Sequence, residues 1–278
     1  MESRVCIITG GSSGVGKATA IGLAKLGATI IIISRNQKRG DHIVNEIKSE
    51  TGNNNIYFRF VDLADFDSIH TFVDQFKKEF NVLHVLSNNA AILPMKKEFT
   101  KNGIEKIFAV NYLSHFALTY LLMDLLKSSA PSRVITVSGT PFVLQFGKID
   151  LNDINIAKHF NPIRATFRAA VAKVMFSYEL AKRLSGTGVT SNTFHPGLVK
   201  SNLTQNFPWV IRIFTNVAQA LFTEECKTSV YLAASPEVEE ITGKFFKNMK
   251  AVDFKPRSDF QYVASSLWDK SIELAGLS

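Results

Sequence analysis

A glycine-rich turn near the start of the chain constrains the fold more than any other stretch. Val5 to Ile8 is a short apolar run, glycines follow at positions 10, 14 and 16, and Ala18 to Leu26 has amphipathic helical spacing. Glycine lets the backbone turn tightly and approach a ligand, and a helix N-terminus offers free N–H groups and a positive dipole end. The order strand, turn and helix therefore predicts a pyrophosphate site, with a merely tight strand–helix turn as the alternative.

The size and composition fit one globular domain. A chain of 278 residues can bury a large α/β core, and 46% apolar residues with 20% charged residues are ordinary for a globular protein. No apolar run reaches the ~18–20 residues that a membrane span needs. Two cysteines, Cys6 and Cys226, argue against a disulfide scaffold. With no signal pattern ahead of the first strand, we expect an intracellular protein in a reducing compartment, cytoplasmic or mitochondrial and not secreted, with association to a membrane surface as an open alternative.

The basic charge does not by itself indicate a nucleic-acid partner. The net charge is +8, but Lys and Arg are scattered in short pairs such as Lys77-Lys78, without a sustained basic run. Solvated basic faces are the expectation, and nucleic acid is not an expected partner. The six histidines show no spacing with Cys, Asp or Glu that suits a metal ion, so no metal site is predicted.

Strand and helix patterns alternate along the chain. Strands separated by helices indicate βαβ units and a parallel sheet, and right-handed crossovers then give a doubly wound, Rossmann-type α/β fold in three layers. We expect one domain over 1–278, with a nucleotide-binding half over 1–138 and a substrate half over 139–278. After the first strand, the predicted strands are 28–33, 56–61, 82–87, 133–138 and 188–194. The predicted helices after 18–26 are a polar one that ends near Glu50, then 66–80, 103–127 and 163–183.

Residues that follow the strands are the candidates for ligand binding, because ligands of doubly wound sheets lie beyond the carboxyl ends of the strands. Arg35 follows the second strand, where an acidic residue would bind the ribose 2′-hydroxyl of NAD. With Lys38 and Arg39 it can hold a 2′-phosphate, which favours NADP(H) over NAD(H); a solvated basic loop is the alternative. Asp62 is interpreted as an acceptor for the adenine amino group or as a helix N-cap. Asn88 to Ala91 are expected to run beneath the adenosine and its ribose.

A series of ordered motifs spans nearly the whole chain. Thr9 to Gly16 matches TGxxxGxG, Asn88 to Ala91 matches NNAG with the last glycine changed, and Val110 to Phe116 is similar to VNHLGHF. Ala130 to Ile135 is similar to APSRIV, and GVT at 188–190 and HPG at 195–197 follow. Together they resemble the short-chain dehydrogenase/reductase family in its retinol-dehydrogenase-like branch. The resemblance implies cofactor contacts at Thr9, Gly10, Ser12, Ser13, Gly14, Val15, Gly16, Arg35, Asp62, Leu63, Asn89, Ala90, Ala91, Pro196, Gly197 and Val199.

The same resemblance predicts that most catalytic residues are missing. In the family a Tyr is the general acid/base, a Lys lowers its pKa and holds the nicotinamide ribose, a Ser polarises the substrate oxygen, and an Asn supports a proton relay. Asn111 keeps the Asn position. Gly139 stands at the Ser position, and Ser138 beside it is expected to point elsewhere. Thr166 and Ala170 stand at the Tyr and Lys positions.

Two independent anchors place these substitutions, and a second Tyr-x-x-x-Lys sequence lies nearby. The anchors are Glu179 to Leu184, similar to ELARRL, and Gly147 to Ile149, similar to GRI. Tyr178 and Lys182 also read Tyr-x-x-x-Lys, but they follow ~18 Å further along the helix at 1.5 Å per residue. We expect this pair to lie away from the cofactor, with Tyr178 as a packing residue and Lys182 at the surface.

The sequence therefore separates nucleotide binding from chemistry. A positioned acid contributes ~10²–10⁴ in rate, and the hydroxyl of Thr166 is too weak an acid and too short to replace it. The leading hypothesis is a catalytically degenerate NADP(H)-binding protein that acts as an accessory subunit, scaffold or sensor. One alternative is an active NADP(H)-dependent oxidoreductase of lipophilic alcohols or carbonyls with an unusual acid, Tyr178 being the first candidate. Another is a fold that binds no nucleotide.

The last third of the chain carries the least specific signals. By resemblance, Pro196 to Ser201 would cover the nicotinamide end, with Ser201 or Thr204 near the phosphates or the amide. Phe207 to Phe222 is aromatic and apolar. It predicts a lipophilic substrate pocket, an amphipathic segment on a membrane surface or protein partner, or an ordinary helix packed on the core.

Overall fold

The computed structural model describes residues 1–140, 148–155, 160–197, 199–200, 223, 225–253 and 258–277. In this part of the chain the strands are β1 Val5–Thr9, β2 Thr29–Ser34, β3 Ile56–Phe60, β4 Val85–Asn88, β5 Ser132–Val137, β6 Val189–His195, β7 Phe245–Lys247 and β8 Lys250–Ala251. They form one sheet in the order β3-β2-β1-β4-β5-β6-β7-β8. All neighbours pair parallel except β7 and β8, which pair antiparallel.

Helices cover both faces of the sheet. They are α1 Gly14–Lys25, α2 Gln37–Thr51, α3 Phe66–Glu79, α5 Met123–Ser128, α6 Pro162–Arg183, α7 Lys227–Ala234 and α8 Phe260–Ala275. A composite helix, α4, lies between α3 and α5 and consists of Lys106–Phe108, a π-helical stretch Ala109–Leu113 and an α-helix Ser114–Leu121. None of the described helices is both long and apolar enough to cross a membrane.

Alternation along the buried strands divides the core into two layers. Ile7 and Ile31 point to one face and pack with α3, α4, α6 and α8, whereas Ile8 and Ile32 point to the other and pack with α1, α2 and α7. A strand that is apolar on both faces is typical of a parallel sheet covered by helices. The predicted doubly wound, three-layer α/β fold is confirmed.

The prediction of one long helix over 103–127 is wrong. Glu105 caps the segment by accepting the N–H groups of Ile107 and Phe108, so α4 begins at Lys106. The chain then widens into a π-helical stretch and later breaks between α4 and α5. The spacing of apolar residues could not distinguish a π-helical from an α-helical stretch here, because all five residues of the π stretch are buried.

Most other predicted elements agree with the structure to within one residue, with three exceptions. The first helix begins at Gly14, because the glycine-rich turn itself forms its first turn. The fourth strand begins at Val85, since side chains hold the preceding residues: the Leu83 N–H donates to the Ser129 hydroxyl at 2.9 Å. The elements that follow β6 were not predicted; α7, β7, β8 and α8 lie there.

A buried ion pair joins α4 to α6. Glu105 is fully buried and Arg168 is 7% exposed; their Oε2 and Nη2 atoms are 3.7 Å apart. The guanidinium also donates to the Asp153 carbonyl at 2.9 Å and lies 5.0 Å from the centroid of the Phe108 ring. Burial raises the pKa of the Glu105 carboxyl, although its backbone contacts and Arg168 oppose that shift. This pair therefore fixes α6 against the start of α4.

We expect Arg168→Met to lower the free energy of unfolding by ~3 kcal/mol or more, because it leaves the Glu105 carboxylate buried without its cation. Urea denaturation of the purified protein measures the change. Arg164→Met is the matched control, since Arg164 is an exposed arginine of the same helix; its effect should stay within ~0.5 kcal/mol. Equal effects of the two substitutions would contradict a structural role for the pair.

Candidate functional site

A cleft of about 590 Å³ opens at the carboxyl ends of the parallel strands. It spans the point between β1 and β4 where the strand order reverses, which is where open α/β sheets bind their ligands. The predicted cofactor residues that line it are Gly10, Ser12, Ser13, Gly14, Val15, Gly16, Arg35, Asp62, Leu63, Asn89, Ala90, Ala91, Pro196, Gly197 and Val199.

The glycine-rich turn is closed by contacts that leave no room for side chains. Gly10 has a φ of 64°, and a Cβ there would lie 2.9 Å from the Cα of Ala90. A Cβ on Gly16 would lie 2.5 Å from the carbonyl oxygen of Gly10. Thr9 is fully buried and is not among the residues that line the cleft; its hydroxyl accepts the N–H groups of Asn89 at 2.8 Å and Ala90 at 2.9 Å. Thr9 therefore supports the turn from behind instead of contacting the ligand.

The N-terminus of α1 faces the cleft through Ser13 and Gly14. Ser13 is the N-cap residue, it makes no side-chain capping bond, and the first turn contains no acidic residue. The N–H groups of this turn and the positive end of the helix dipole are thus available to an anion. This arrangement fits the pyrophosphate predicted from the sequence.

Two arginines form the basic edge of the cleft. Arg35 is exposed where β2 ends and lines the cleft. Arg39 also lines it, and its Nε–H donates to the Ser12 carbonyl at 3.0 Å. Asn36 caps α2 by accepting the Arg39 N–H at 3.0 Å, which holds Arg39 beside the glycine-rich turn. Lys38 does not line the cleft, so of the three predicted basic residues only Arg35 and Arg39 do.

We expect Arg35→Ala to weaken NADPH binding by about tenfold or more and to leave NADH binding almost unchanged, because only NADPH carries the 2′-phosphate. Calorimetric titration of both dinucleotides measures the ratio of affinities. Lys38→Ala is the matched control, since Lys38 is an exposed neighbour outside the cleft. An equal loss of affinity for NADH would show that Arg35 contacts a part of the dinucleotide other than the 2′-phosphate.

Asp62 is not a helix N-cap. Asp65 caps α3 by accepting the Asp67 N–H at 3.0 Å, whereas the Asp62 carboxylate accepts the Ala64 N–H at 2.9 Å in the turn before the helix. Asp62 and Leu63 both line the cleft. Of the two interpretations of Asp62, the helix N-cap is wrong, and the contact with adenine stays a prediction.

Asn88 lies in the core instead of beneath the predicted adenosine. It is fully buried, and its amide group donates to the hydroxyls of Thr119 at 3.3 Å and Thr136 at 3.5 Å. The three residues that follow, 89–91, do line the cleft. The turn out of β4 therefore begins one residue later than the motif suggested.

The five positions of the predicted catalytic group meet at the other end of the cleft. Gly139 follows β5, and Thr166 and Ala170 lie one turn apart on α6. The hydroxyl of Thr166 donates to the Pro162 carbonyl of its own helix at 2.9 Å. The hydroxyl of Ser138 donates to the Ala170 carbonyl at 2.9 Å, so this serine is directed at the helix, as expected.

Asn111 is the retained member of that group, and it is engaged by the backbone. It lies in the π-helical stretch of α4, where its amide oxygen accepts the Ile92 N–H at 2.7 Å and its amide group donates to the Ile92 carbonyl at 3.0 Å. Both of its polar atoms therefore hold the loop after β4 in place. The wall of the cleft depends on this contact.

The second Tyr-x-x-x-Lys sequence lies outside the cleft. The hydroxyl of Tyr178 accepts a hydrogen bond from the Gln261 amide at 3.1 Å, and its ring packs edge-on against Phe260 with centroids 5.4 Å apart. Lys182 is exposed. Neither residue lines the cleft, so Tyr178 cannot donate a proton to a ligand there.

Sequence reasoning missed Lys173, which lines the cleft three residues after Ala170. Its side chain is buried, with 6% exposed, and burial lowers its pKa to about 8. His115 of α4 is fully buried, and neither ring nitrogen has a hydrogen-bond partner among the described residues. Burial and the charge of Lys173 lower the pKa of His115 well below its ordinary value. The spacing of 166, 170 and 173 along one helical stripe was the signal available in the sequence.

We expect acid to destabilise the protein partly through His115. The folded state holds this ring neutral, whereas an unfolded His binds a proton below about pH 6.5; stability is therefore present above that pH and falls as the pH is lowered through it. His115→Leu should reduce the loss of melting temperature between pH 7 and pH 5. His42→Leu, at an exposed histidine, is the control and should leave that loss unchanged. An unaltered acid response in His115→Leu would contradict the assignment.

Several predicted residues cannot be placed. Ser201, Thr204 and the segment from Phe207 to Phe222 lie outside the described residues, as do Leu198 and the Gly147 anchor. Among the described residues, no group of His, Cys, Asp and Glu is arranged to hold a metal ion.

The chain resembles known proteins over its whole length. Residues 4–142 match the family model for short chain dehydrogenase. Retinol dehydrogenase 14 from Homo sapiens is 37% identical over 296 residues, covering 100% of this chain and 88% of that protein. Polyprenol dehydrogenase from Homo sapiens is 35% identical over 284 residues, covering 99% and 86%. An uncharacterized Mycobacterium paratuberculosis protein superposes with a TM-score of 0.77 at 26% identity, covering 99% and 94%. The RhlG/NADP active-site complex of Pseudomonas aeruginosa has a TM-score of 0.69 at 23% identity, covering 88% and 94%.

Proposed function

The chain belongs to the short-chain dehydrogenase family, and we propose that it binds NADP(H) in this cleft without the family's usual means of moving a proton. The proposal rests on a single cleft whose two ends differ in the residues that line them. Its nucleotide end keeps the glycine-rich turn and two arginines, and its other end presents Thr166 and Ala170 where the resemblance implies Tyr and Lys.

The nucleotide end fits the dinucleotide in shape and charge. Gly10 and Gly16 let the turn pack tightly, because a side chain at either position would collide with the backbone of Ala90 or Gly10, and the N-terminus of α1 offers N–H donors beside this turn. Arg35 and Arg39 present the charge that a 2′-phosphate requires, while no acidic residue follows β2 to bind an unmodified ribose. The NADP complex of RhlG supports the same choice of cofactor. When bound, the dinucleotide would supply or accept a hydride at its nicotinamide ring.

The other end lacks the tyrosine hydroxyl that donates the accompanying proton in the family. The buried ammonium of Lys173 also lines the cleft, one turn beyond the Lys position, and we assign it to holding the cofactor instead of protonating a substrate. Reduction of a carbonyl by hydride leaves an alkoxide that must be protonated by an acid within hydrogen-bond reach. Among the described residues, no tyrosine or histidine lines the cleft. The hydroxyl proton of Thr166 is used within its own helix, and Ser138 donates to Ala170. We therefore infer a catalytically degenerate protein that serves as an accessory subunit, a scaffold or a sensor of the bound cofactor.

The ligand beside the nicotinamide, if one is held there, would be a lipophilic alcohol or carbonyl compound. The relatives named for retinol and polyprenol support this class. Phe167 also favours a lipophilic ligand, because this aromatic residue lines the cleft and is 36% exposed. Without the standard acid, such a compound would be bound but not turned over at the rates typical of enzymes.

We expect the triple variant Gly139→Ser, Thr166→Tyr, Ala170→Lys to gain NADPH-dependent reduction of a long-chain aldehyde, by ~10²-fold or more over the parent. The matched control replaces Thr166 by Phe in the same triple background, which restores the ring without its acidic hydroxyl. NADPH binding by calorimetry and melting temperatures establish that all three proteins are folded and loaded. A parent that turns over as fast as the Tyr variant would contradict degeneracy, and a parent that binds no NADPH would contradict the nucleotide site.

A further inference from the structure

Lys173 is a buried cation without a counterion in the described part of the chain. Its side chain is 6% exposed, and neither a hydrogen bond nor an ion pair joins its ammonium to a described residue. An uncompensated buried charge costs free energy in the unliganded protein. The neighbouring buried cation, Arg168, differs in that it has the Glu105 carboxylate and backbone carbonyls as acceptors. A ligand that brings oxygen acceptors to Lys173 would therefore recover part of this cost.

Lys173 lies on the side of α6 that lines the cleft. Residues 166, 170 and 173 lie on one stripe of the helix, and all three line the cleft. Helical side chains lean toward the helix N-terminus, so the four-carbon stem of Lys173 leads back toward the level of Ala170. Because Ala170 has no side chain beyond Cβ, it leaves that space to the lysine.

The groups that face Lys173 do not neutralise it. The charge of Lys173 acts on His115 of α4, and both side chains are buried. Burial is the cause of the lowered pKa of Lys173, and no described carboxylate acts to raise it. On its own helix, Arg168 is paired with Glu105, and Arg183 is paired with Glu179. The amine is consequently free to take a ligand's oxygen atoms.

We propose that Lys173 donates hydrogen bonds to the hydroxyl oxygens of the nicotinamide ribose of bound NADP(H), an assignment that rests on the proposed function. The turn at Ser12 to Gly16 and Arg35 would hold the pyrophosphate and the 2′-phosphate at the other end of the cleft. The remaining half of the dinucleotide would then lie on the side lined by Asn111, Ser138 and α6, and it carries a ribose with two hydroxyl groups. These hydroxyls are the acceptors that the ammonium lacks.

Three ligands distinguish a contact between Lys173 and the nicotinamide ribose from a contact with another part of the dinucleotide. NADPH has the second ribose and the nicotinamide, 2′-phospho-ADP-ribose keeps that ribose without the nicotinamide, and 2′,5′-ADP lacks both. We expect Lys173→Met to weaken the binding of NADPH and of 2′-phospho-ADP-ribose by about tenfold or more, where tenfold equals ~1.4 kcal/mol. The binding of 2′,5′-ADP should weaken by less than about twofold. Lys182→Met, at an exposed lysine of the same helix, should leave all three affinities unchanged. Calorimetry at pH 7 measures each dissociation constant.

Each other outcome has a definite meaning. If the substitution weakens the binding of all three ligands equally, or of none, the ribose contact is overturned. A loss of affinity confined to NADPH would show that Lys173 contacts the nicotinamide ring instead of the ribose. A parent that binds none of the three would instead overturn the proposed function. We also expect Lys173→Met to raise the melting temperature without ligand, because it removes the buried charge; a lower melting temperature together with unchanged affinities would make Lys173 a packing residue only.

The pH dependence of binding is a second readout. Raising the pH from 7 to 9 passes the pKa of about 8 and removes the proton that Lys173 uses as a donor. The affinity of the parent for NADPH, relative to 2′,5′-ADP, should fall over this range. Lys173→Arg keeps its charge at both pH values and should show no such fall. A fall of equal size in Lys173→Arg would assign the pH dependence to another group.

Discussion

The close approach of two backbone segments at the carboxyl edge of the sheet determines most of what this protein can bind. The turn after β1 meets the turn after β4 at Gly10 and Ala90, and the buried hydroxyl of Thr9 holds the contact by accepting two N–H groups. Because a Cβ on Gly10 would collide there, the backbone itself forms the floor of the cleft. Ser12, whose carbonyl accepts from Arg39, and Ile92, which Asn111 holds, each lie two residues beyond this contact.

The fold and the nucleotide end were predictable from local patterns. Continuous apolar runs such as 30–33 indicate strands buried on both faces, and strict glycine spacing indicates a backbone that approaches an anion. What failed depended on individual contacts. Glu105 sets the start of α4 by accepting two N–H groups, and Asp65 instead of Asp62 caps α3. Asn88 and Asn89 are adjacent asparagines, and only the packing of β4 shows that the first faces Thr119 while the second lines the cleft.

Lys173 shows why the chemistry of the cleft was harder to predict than its shape. A lysine within an amphipathic helix is usually solvated, and a motif comparison attends to positions 166 and 170 and passes over the residue one turn later. The structure buries Lys173 on the stripe shared by those two positions. With Thr166 and Ala170 at the positions where the resemblance implies Tyr and Lys, this end of the cleft still carries the charge of Lys173. We propose that this cation holds the cofactor, whereas the tyrosine that protonates a substrate in the family has no counterpart among the residues that line the cleft.

We propose that this chain binds a reduced dinucleotide and does not consume it. Nicotinamide fluorescence tests binding and consumption in one sample, since binding in a cleft changes the emission of NADPH and oxidation abolishes it. We expect the emission of NADPH to change saturably as protein is added and then to stay constant after excess long-chain aldehyde is mixed in. Steady decay of the emission after the aldehyde, at the ~1–10³ per second typical of enzymes, would contradict it.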